Sequence, residues 1–174
     1  PMAAMERDGD GSLLQQPVEA HELAGLIGQN KIRHRLARLR RIFADIVLLQ
    51  EVDEGAPRSR EMDMATELAR ELGYSHLAVG HNVTLRKGRY GNATLSRHPI
   101  LRERNIDLTV AGRKRRGCQH TAILLPVGAH GHPLDVFNLH LGLSAREREL
   151  QLGLLLRSRE FTGLPDDAAA IIAG

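Results

Sequence analysis

The clearest pattern along the chain is an unbroken apolar run, Ile46 to Leu49, inside the stretch Ala44 to Glu54, ADIVLLQEVDE. Rich in branched residues and far shorter than a membrane span, it predicts a strand buried on both faces. Glu51 stands where that strand ends, and the loop EGAPRSR follows. Open α/β sheets place their ligands at such a rim. Glu51 is therefore either a site carboxylate or a strand-end acid turned to water, and this stretch alone allows both. Just upstream, Ile32, Leu36, Leu39 and Phe43 recur at helical spacing, with Lys31, Arg33, Arg35, Arg38, Arg40 and Arg41 filling the other positions. This basic amphipathic helix is either a cover for the sheet with a solvated face or a contact for phosphate or a membrane surface. Residues 1–30 are the least legible, with one short helical stretch near Val18 to Ile27. Glu6, Asp8, Asp10 and Gly11 have the look of a calcium loop, but Pro17 stands where its bidentate Glu is required, so a flexible acidic leader is expected.

A second helix is predicted over Arg60 to Leu72, where Met64, Leu68 and Leu72 repeat every four residues and Gly73 supplies a C-cap. Tyr74 to Val79 reads as a strand, and His81 to Gly88 as a polar loop lacking the spacing of a phosphate-binding glycine loop. From Arg89 the pattern becomes one of strands between turns, at about Tyr90 to Ser96, Ile100 to Leu108, Cys118 to Pro126 and Leu134 to Leu141. In the last of these, Val136, Asn138 and His140 alternate with Phe137, Leu139 and Leu141, so an Asn and a His share one face. Such a pair is structural as readily as catalytic. A helix over Ala145 to Phe161 opens at Ser144, with Glu147 completing a capping box. Ala168 to Ala173 then reads as another buried strand.

Composition narrows the partners. A chain of 174 residues, 42% hydrophobic and 26% charged, suits one domain of ordinary globular usage. With 3% aromatic residues and no Trp, nucleic-acid recognition by stacking platforms is excluded, and the net charge of +3 leaves electrostatics to attract a polyanion. The single cysteine, Cys118, excludes an internal disulfide framework and a CxxC zinc site, and fits a reducing compartment. No run is long enough to span a bilayer and no signal-peptide pattern opens the chain, so a cytoplasmic location is expected, although both ends read as cut. His130 and His132, in AHGHP, read as an exposed hairpin tip rather than metal ligands.

Three segments, LLQEVD at 48–53, YGNATLSRHPI at 90–100 and FNLHLGLSARERELQ at 137–151, stand in an order and at spacings that resemble the endonuclease/exonuclease/phosphatase superfamily, the fold of deoxyribonuclease I-like enzymes. The resemblance covers about Ile42 to Gly174. It implies an α/β (α+β) fold, part of a four-layer α/β sandwich with mixed, largely antiparallel sheets flanked by helices. It implies Mg²⁺-dependent phosphoester hydrolysis, with Mn²⁺ as the other candidate ion, on nucleic acid, phospholipid or inositol phosphate. Residue by residue, Glu51 matches the metal-binding carboxylate, His140 the site histidine that binds or protonates phosphate, and Asn138 a hydrogen-bonding support beside it. Tyr90 and Asn92 match the substrate side of the cleft, where Asn92 would donate its amide to phosphate, although a purely structural turn and strand start fits these two as well.

The family's Tyr-Asn-Ile type strand has no counterpart upstream of Lys31, and its Gly-Asp-x-Asn and Ser-Asp-His segments have none. Residues 31–174 are accordingly expected to be the N-terminal half of such a domain, inactive alone and, if the second sheet is absent, prone to self-association. The alternative is a non-catalytic basic segment that holds nucleic acid or anionic lipid through Lys31 to Arg41 and Arg113 to Arg116.

Overall fold

The computed structural model describes residues 2–7, 13–18 and 44–174. The described strands are β1 (Met2–Arg7), β2 (Leu13–Val18), β3 (Ile46–Glu54), β4 (His76–Thr84), β5 (Arg89–Ser96), β6 (Ile100–Asp107), β7 (Gly117–Leu125), β8 (His132–Leu139) and β9 (Ala169–Ala173). The helices are α1 (Met64–Leu72), α2 (Ala145–Leu156) and the short α3 (Arg159–Thr162). One sheet runs β2-β1-β3-β5-β4 and is antiparallel throughout; the other runs β6-β7-β8-β9, antiparallel except for the parallel pair β8–β9. A parallel neighbour needs a crossover, and α2 and α3 supply it.

Three apolar clusters mark three interfaces between four layers. Val47, Leu49 and Val52 of β3 with Ala93 and Leu95 of β5 pack under Met64, Leu68 and Leu72 of α1. Cys118 of β7 with Phe137 and Leu139 of β8 pack under Leu155 of α2 and Phe161 of α3. Between the sheets, Leu48 meets Ile123, Leu134 and Val136. The result is the helix–sheet–sheet–helix sandwich that the resemblance implies. Ile46 to Leu49 is covered from both sides because its alternate residues serve two different interfaces.

Several boundaries differ from the sequence reading for local reasons. The α1 helix starts at Met64, not Arg60, because Arg60 and Glu61 hold left-handed φ values of 57° and 62° that no α-helix accommodates, while Asp63 caps the amide of Thr66. β4 continues through Thr84, across half of the expected polar loop, because β5 pairs with it as far as Thr84↔Arg89. The single helix expected to reach Phe161 breaks at Ser158, whose hydroxyl accepts the Phe161 amide and starts a new cap. β1 and β2 stand in the stretch read as a leader, and the basic helix expected at Lys31 to Phe43 lies outside the described residues.

Candidate functional site

The interface between the sheets changes character along its length. Leu48, Ile123, Leu134 and Val136 make one end apolar. At the other end the facing positions are buried polar residues, Gln50, Asn92, Thr94, Gln119 and Asn138, and buried polar groups require partners. Asn138 donates its amide hydrogens to Leu49 O and Ala93 O, both at 3.0 Å, and Gln50 Nε2 donates to Asn138 Oδ1 at 3.4 Å. Asn92 answers from the opposite sheet, donating to Asn138 O at 2.9 Å and Gly117 O at 3.1 Å. Thr94 Oγ1 donates to Gln119 Oε1 at 2.8 Å. This amide layer stitches β3 and β5 to β8 and fixes the chain directly before Glu51 and His140.

Glu51 lies at a β-bulge. The pairing of β3 with β5 slips between Leu49 and Val52, and Glu51 takes a left-handed φ of 54°, rare and costly for a residue with a Cβ. Strict alternation would send Glu51 toward α1. The extra residue returns Val52 to that helix instead and leaves Glu51 free to turn to the sheet's end. Its Oε1 atom gathers three basic groups there: Lys114 Nζ and Arg116 Nη1, each at 3.5 Å, and His140 Nδ1 at 3.9 Å. Burial would raise the Glu51 pKa, but the charges of His140, Lys114 and Arg116 more than offset it, so its carboxyl ionises below the usual range.

His140 follows immediately after β8 rather than sitting within it. Burial, reinforced by the Arg116 charge and only partly opposed by Glu51, pushes its pKa down to about 4, so the ring is neutral at neutral pH. Its Nδ1 is buried without a hydrogen-bond partner among the described residues. The turn that follows is tied down by Gln151 of α2, whose Oε1 accepts the Gly142 amide at 2.7 Å. Gln151 does not stand out in the sequence as a site residue, and Arg116 stands out only as part of the basic run Arg113 to Arg116 of the alternative reading, not as a partner of Glu51. A Gln amid leucines on a helix is the only trace of the first, and Arg116 hides within a run of four cations.

Two expected substrate contacts need correction. Asn92 is buried and both of its amide hydrogens go to backbone carbonyls, so it has no donor to offer a phosphate. Tyr90 is also buried, its ring covered by Arg58 Cζ at 4.9 Å and Lys114 Nζ at 5.6 Å from the centroid. It is a platform for cations, which its quadrupole attracts, rather than an open surface. Asn138 does not share an open face with His140 either; it is fully enclosed in the amide layer.

Among the described residues no group of three or more His, Cys, Asp or Glu side chains converges. The donor set still fits Mg²⁺, which takes one or two carboxylates and keeps waters and a substrate oxygen for the rest. Glu51 supplies one carboxylate at a point where positive charge already collects, beside the unpartnered nitrogen of His140. The sequence profile of the Endonuclease/Exonuclease/phosphatase family matches residues 22–174. The chain belongs to this family. It is 34% identical over 143 residues to the uncharacterized protein YbhP of Escherichia coli (strain K12), a match covering 78% of this chain and 54% of YbhP. The chain thus spans about half the length of the curated relatives it matches. An endonuclease/exonuclease/phosphatase family protein from Leptotrichia buccalis C-1013-b superposes with a TM-score of 0.60 at 18% identity, over 89% of this chain and 64% of that one. A mannosyl-6-phosphatase of Bacteroides thetaiotaomicron VPI-5482 superposes at 0.59 and 15% identity, over 97% and 61%. At these identities the likeness is one of fold.

Proposed function

We propose that this chain carries the Glu51 and His140 portion of the active site of a Mg²⁺-dependent phosphoester hydrolase. The observation behind this reading is the meeting of Glu51, His140, Lys114 and Arg116 at the polar end of the sandwich, with Glu51 held there in a strained conformation. Strain of this kind persists where the surrounding fold over-determines it, and it clusters at functional sites. A divalent cation, when bound, would polarise a phosphoryl oxygen and offset developing negative charge. Glu51, ionised well below neutral pH, would hold that cation. His140, neutral and aimed at the same place, would hydrogen-bond a phosphoryl oxygen, and Arg116 and Lys114 would counter the phosphate charge.

The described residues provide one carboxylate and no second acid to orient an attacking water, so the 174 residues alone are expected to give no turnover above background. Magnesium-dependent hydrolysis of bis(p-nitrophenyl) phosphate that vanishes in Glu51→Ala would overturn that expectation. Mn²⁺ binding unchanged by Glu51→Gln would overturn the metal role of Glu51.

A second reading, a non-catalytic basic segment, draws on Arg113 and Arg115, which are exposed on the β6–β7 loop beside Lys114. Binding to nucleic acid or anionic vesicles that falls steeply with salt, yet ignores Mg²⁺ and Glu51→Gln, would favour it. Leu150, Leu152, Leu154 and Leu156, exposed on α2, support self-association as part of either reading.

A further inference from the structure

The two permanent cations on Glu51 Oε1 are unlike each other. Arg116 is buried, and its backbone is clamped at the neck of the β6–β7 loop: Leu108 N donates to Arg116 O, and Arg116 N donates to Thr109 Oγ1. Lys114 lies further out on the same loop with its side chain 57% exposed, and beyond Glu51 its ammonium lies near the face of Tyr90, 5.6 Å from the ring centroid. One cation is fixed; the other sits on a flexible four-carbon stem and holds its partner in an ion pair of the weak, solvent-screened kind.

We infer that Lys114 is an exchangeable counter-ion: it neutralises Glu51 in the metal-free protein and moves to the substrate phosphate when a divalent cation takes the carboxylate. This rests on the metal role proposed for Glu51. The charges require some such exchange. Glu51 against Lys114 and Arg116 leaves one net positive charge among these three groups. A divalent cation on Glu51 would raise this to three, with an ammonium a few ångströms from the ion, a repulsion that only partial solvation moderates. Lys114 can leave and Arg116 cannot. A phosphate dianion bound between the ion and the displaced ammonium returns the site to its starting charge. Cation and phosphate are therefore expected to bind with positive coupling, and Lys114 carries that coupling.

Paramagnetic titration with Mn²⁺ tests the exchange without requiring turnover. In the 174-residue chain, Lys114→Gln is expected to bind Mn²⁺ about fivefold more tightly than wild type, the scale of releasing one exposed ion pair. Arg115→Gln, the same charge change one residue along, is expected to alter it less than about twofold. Inorganic phosphate should tighten Mn²⁺ binding in wild type and lose most of that effect in Lys114→Gln. If Glu51→Gln abolishes Mn²⁺ binding while Lys114→Gln leaves it within twofold or weakens it, the exchange is wrong and the metal role stands. Tighter binding in Lys114→Gln with the phosphate effect undiminished overturns the transfer to phosphate. If wild type fails to bind Mn²⁺, or Glu51→Gln binds it equally well, the metal role fails and the exchange fails with it.

Discussion

A left-handed φ at a glutamate costs about 1 kcal/mol relative to a residue free of that penalty. Glu51 bears this cost beside a buried arginine that depends on its charge. The two contributions separate by comparing substitutions that both remove the carboxylate. Glu51→Gly and Glu51→Ala equally strand Arg116, but only glycine relieves the backbone, so Glu51→Gly should be the more stable by about 1 kcal/mol in urea unfolding. That reverses the usual order of Gly and Ala in a strand, and the usual order would show that the bulge is not strained.

His140 gives a prediction with a definite sign. Its pKa is about 4 in the folded chain against 6.5 for an ordinary histidine, so between those values the unfolded chain takes up the proton and the folded one resists. Stability contributed by the neutral ring is complete above the unfolded pKa and is lost as pH falls toward the folded one. In chelator, stability should fall by about 2 kcal/mol from pH 7 to 5, and His140→Asn should flatten most of that slope. None of this is visible in one dimension: the residue types of Glu51 and His140 were legible in their motifs, but a bulge is a property of pairing with β5, and a depressed pKa is a property of burial beside Arg116.

At the scale of elements, the alternation in β8 was readable as one face bearing Val136 and Asn138, and the structure turns that face toward the other sheet. The alternation could not say what the face meets. Asn138 meets the carbonyls of Leu49 and Ala93 on two neighbouring strands. Asn138→Ala removes both of these buried hydrogen bonds and takes away the acceptor of Gln50 Nε2, and should destabilise by roughly 3 kcal/mol or more in denaturant titration. A loss below about 1 kcal/mol would mean that water replaces the amide and that the layer is not what holds the sheets in register. The same logic accounts for the misread of Asn92: a polar residue in a strand looks like a donor to a ligand until the carbonyls of Gly117 and Asn138 are found opposite it. Helix ends were read with more success at capping residues, as at Ser144, whose hydroxyl accepts the Glu147 amide, than where a left-handed pair such as Arg60 and Glu61 intervenes.

Among the described residues, α2 has a face that nothing covers. α2 buries Gln151 and Leu155 toward the sheet, but Leu150, Leu152, Leu154 and Leu156 are all exposed on it, with Leu143 91% exposed just before it and Ile172 exposed on β9. The second half of α2 therefore carries leucines on its outer sides as well as toward the sheet, a pattern characteristic of an interior, not of a surface. The layer architecture was legible from the order of the three motifs, because each lies on an element of known place in the fold; the uncovered face was not, since the capping box at Ser144 marks where the helix starts but not which of its sides the sheet covers. Exposed leucines at this density bring like surfaces together in water. A second copy of the chain is therefore expected to cover α2, with mass rising with concentration in sedimentation equilibrium. Leu150 and Leu154 lie one turn apart on the same side of the helix, away from the buried Leu155. Replacing both with Gln should shift the equilibrium toward monomer by tenfold or so, on the scale of two apolar side chains returned to water, while leaving the urea midpoint of the monomer nearly unchanged. A wild-type chain that stays monomeric across the accessible concentrations would show that these leucines are tolerated in water as they stand.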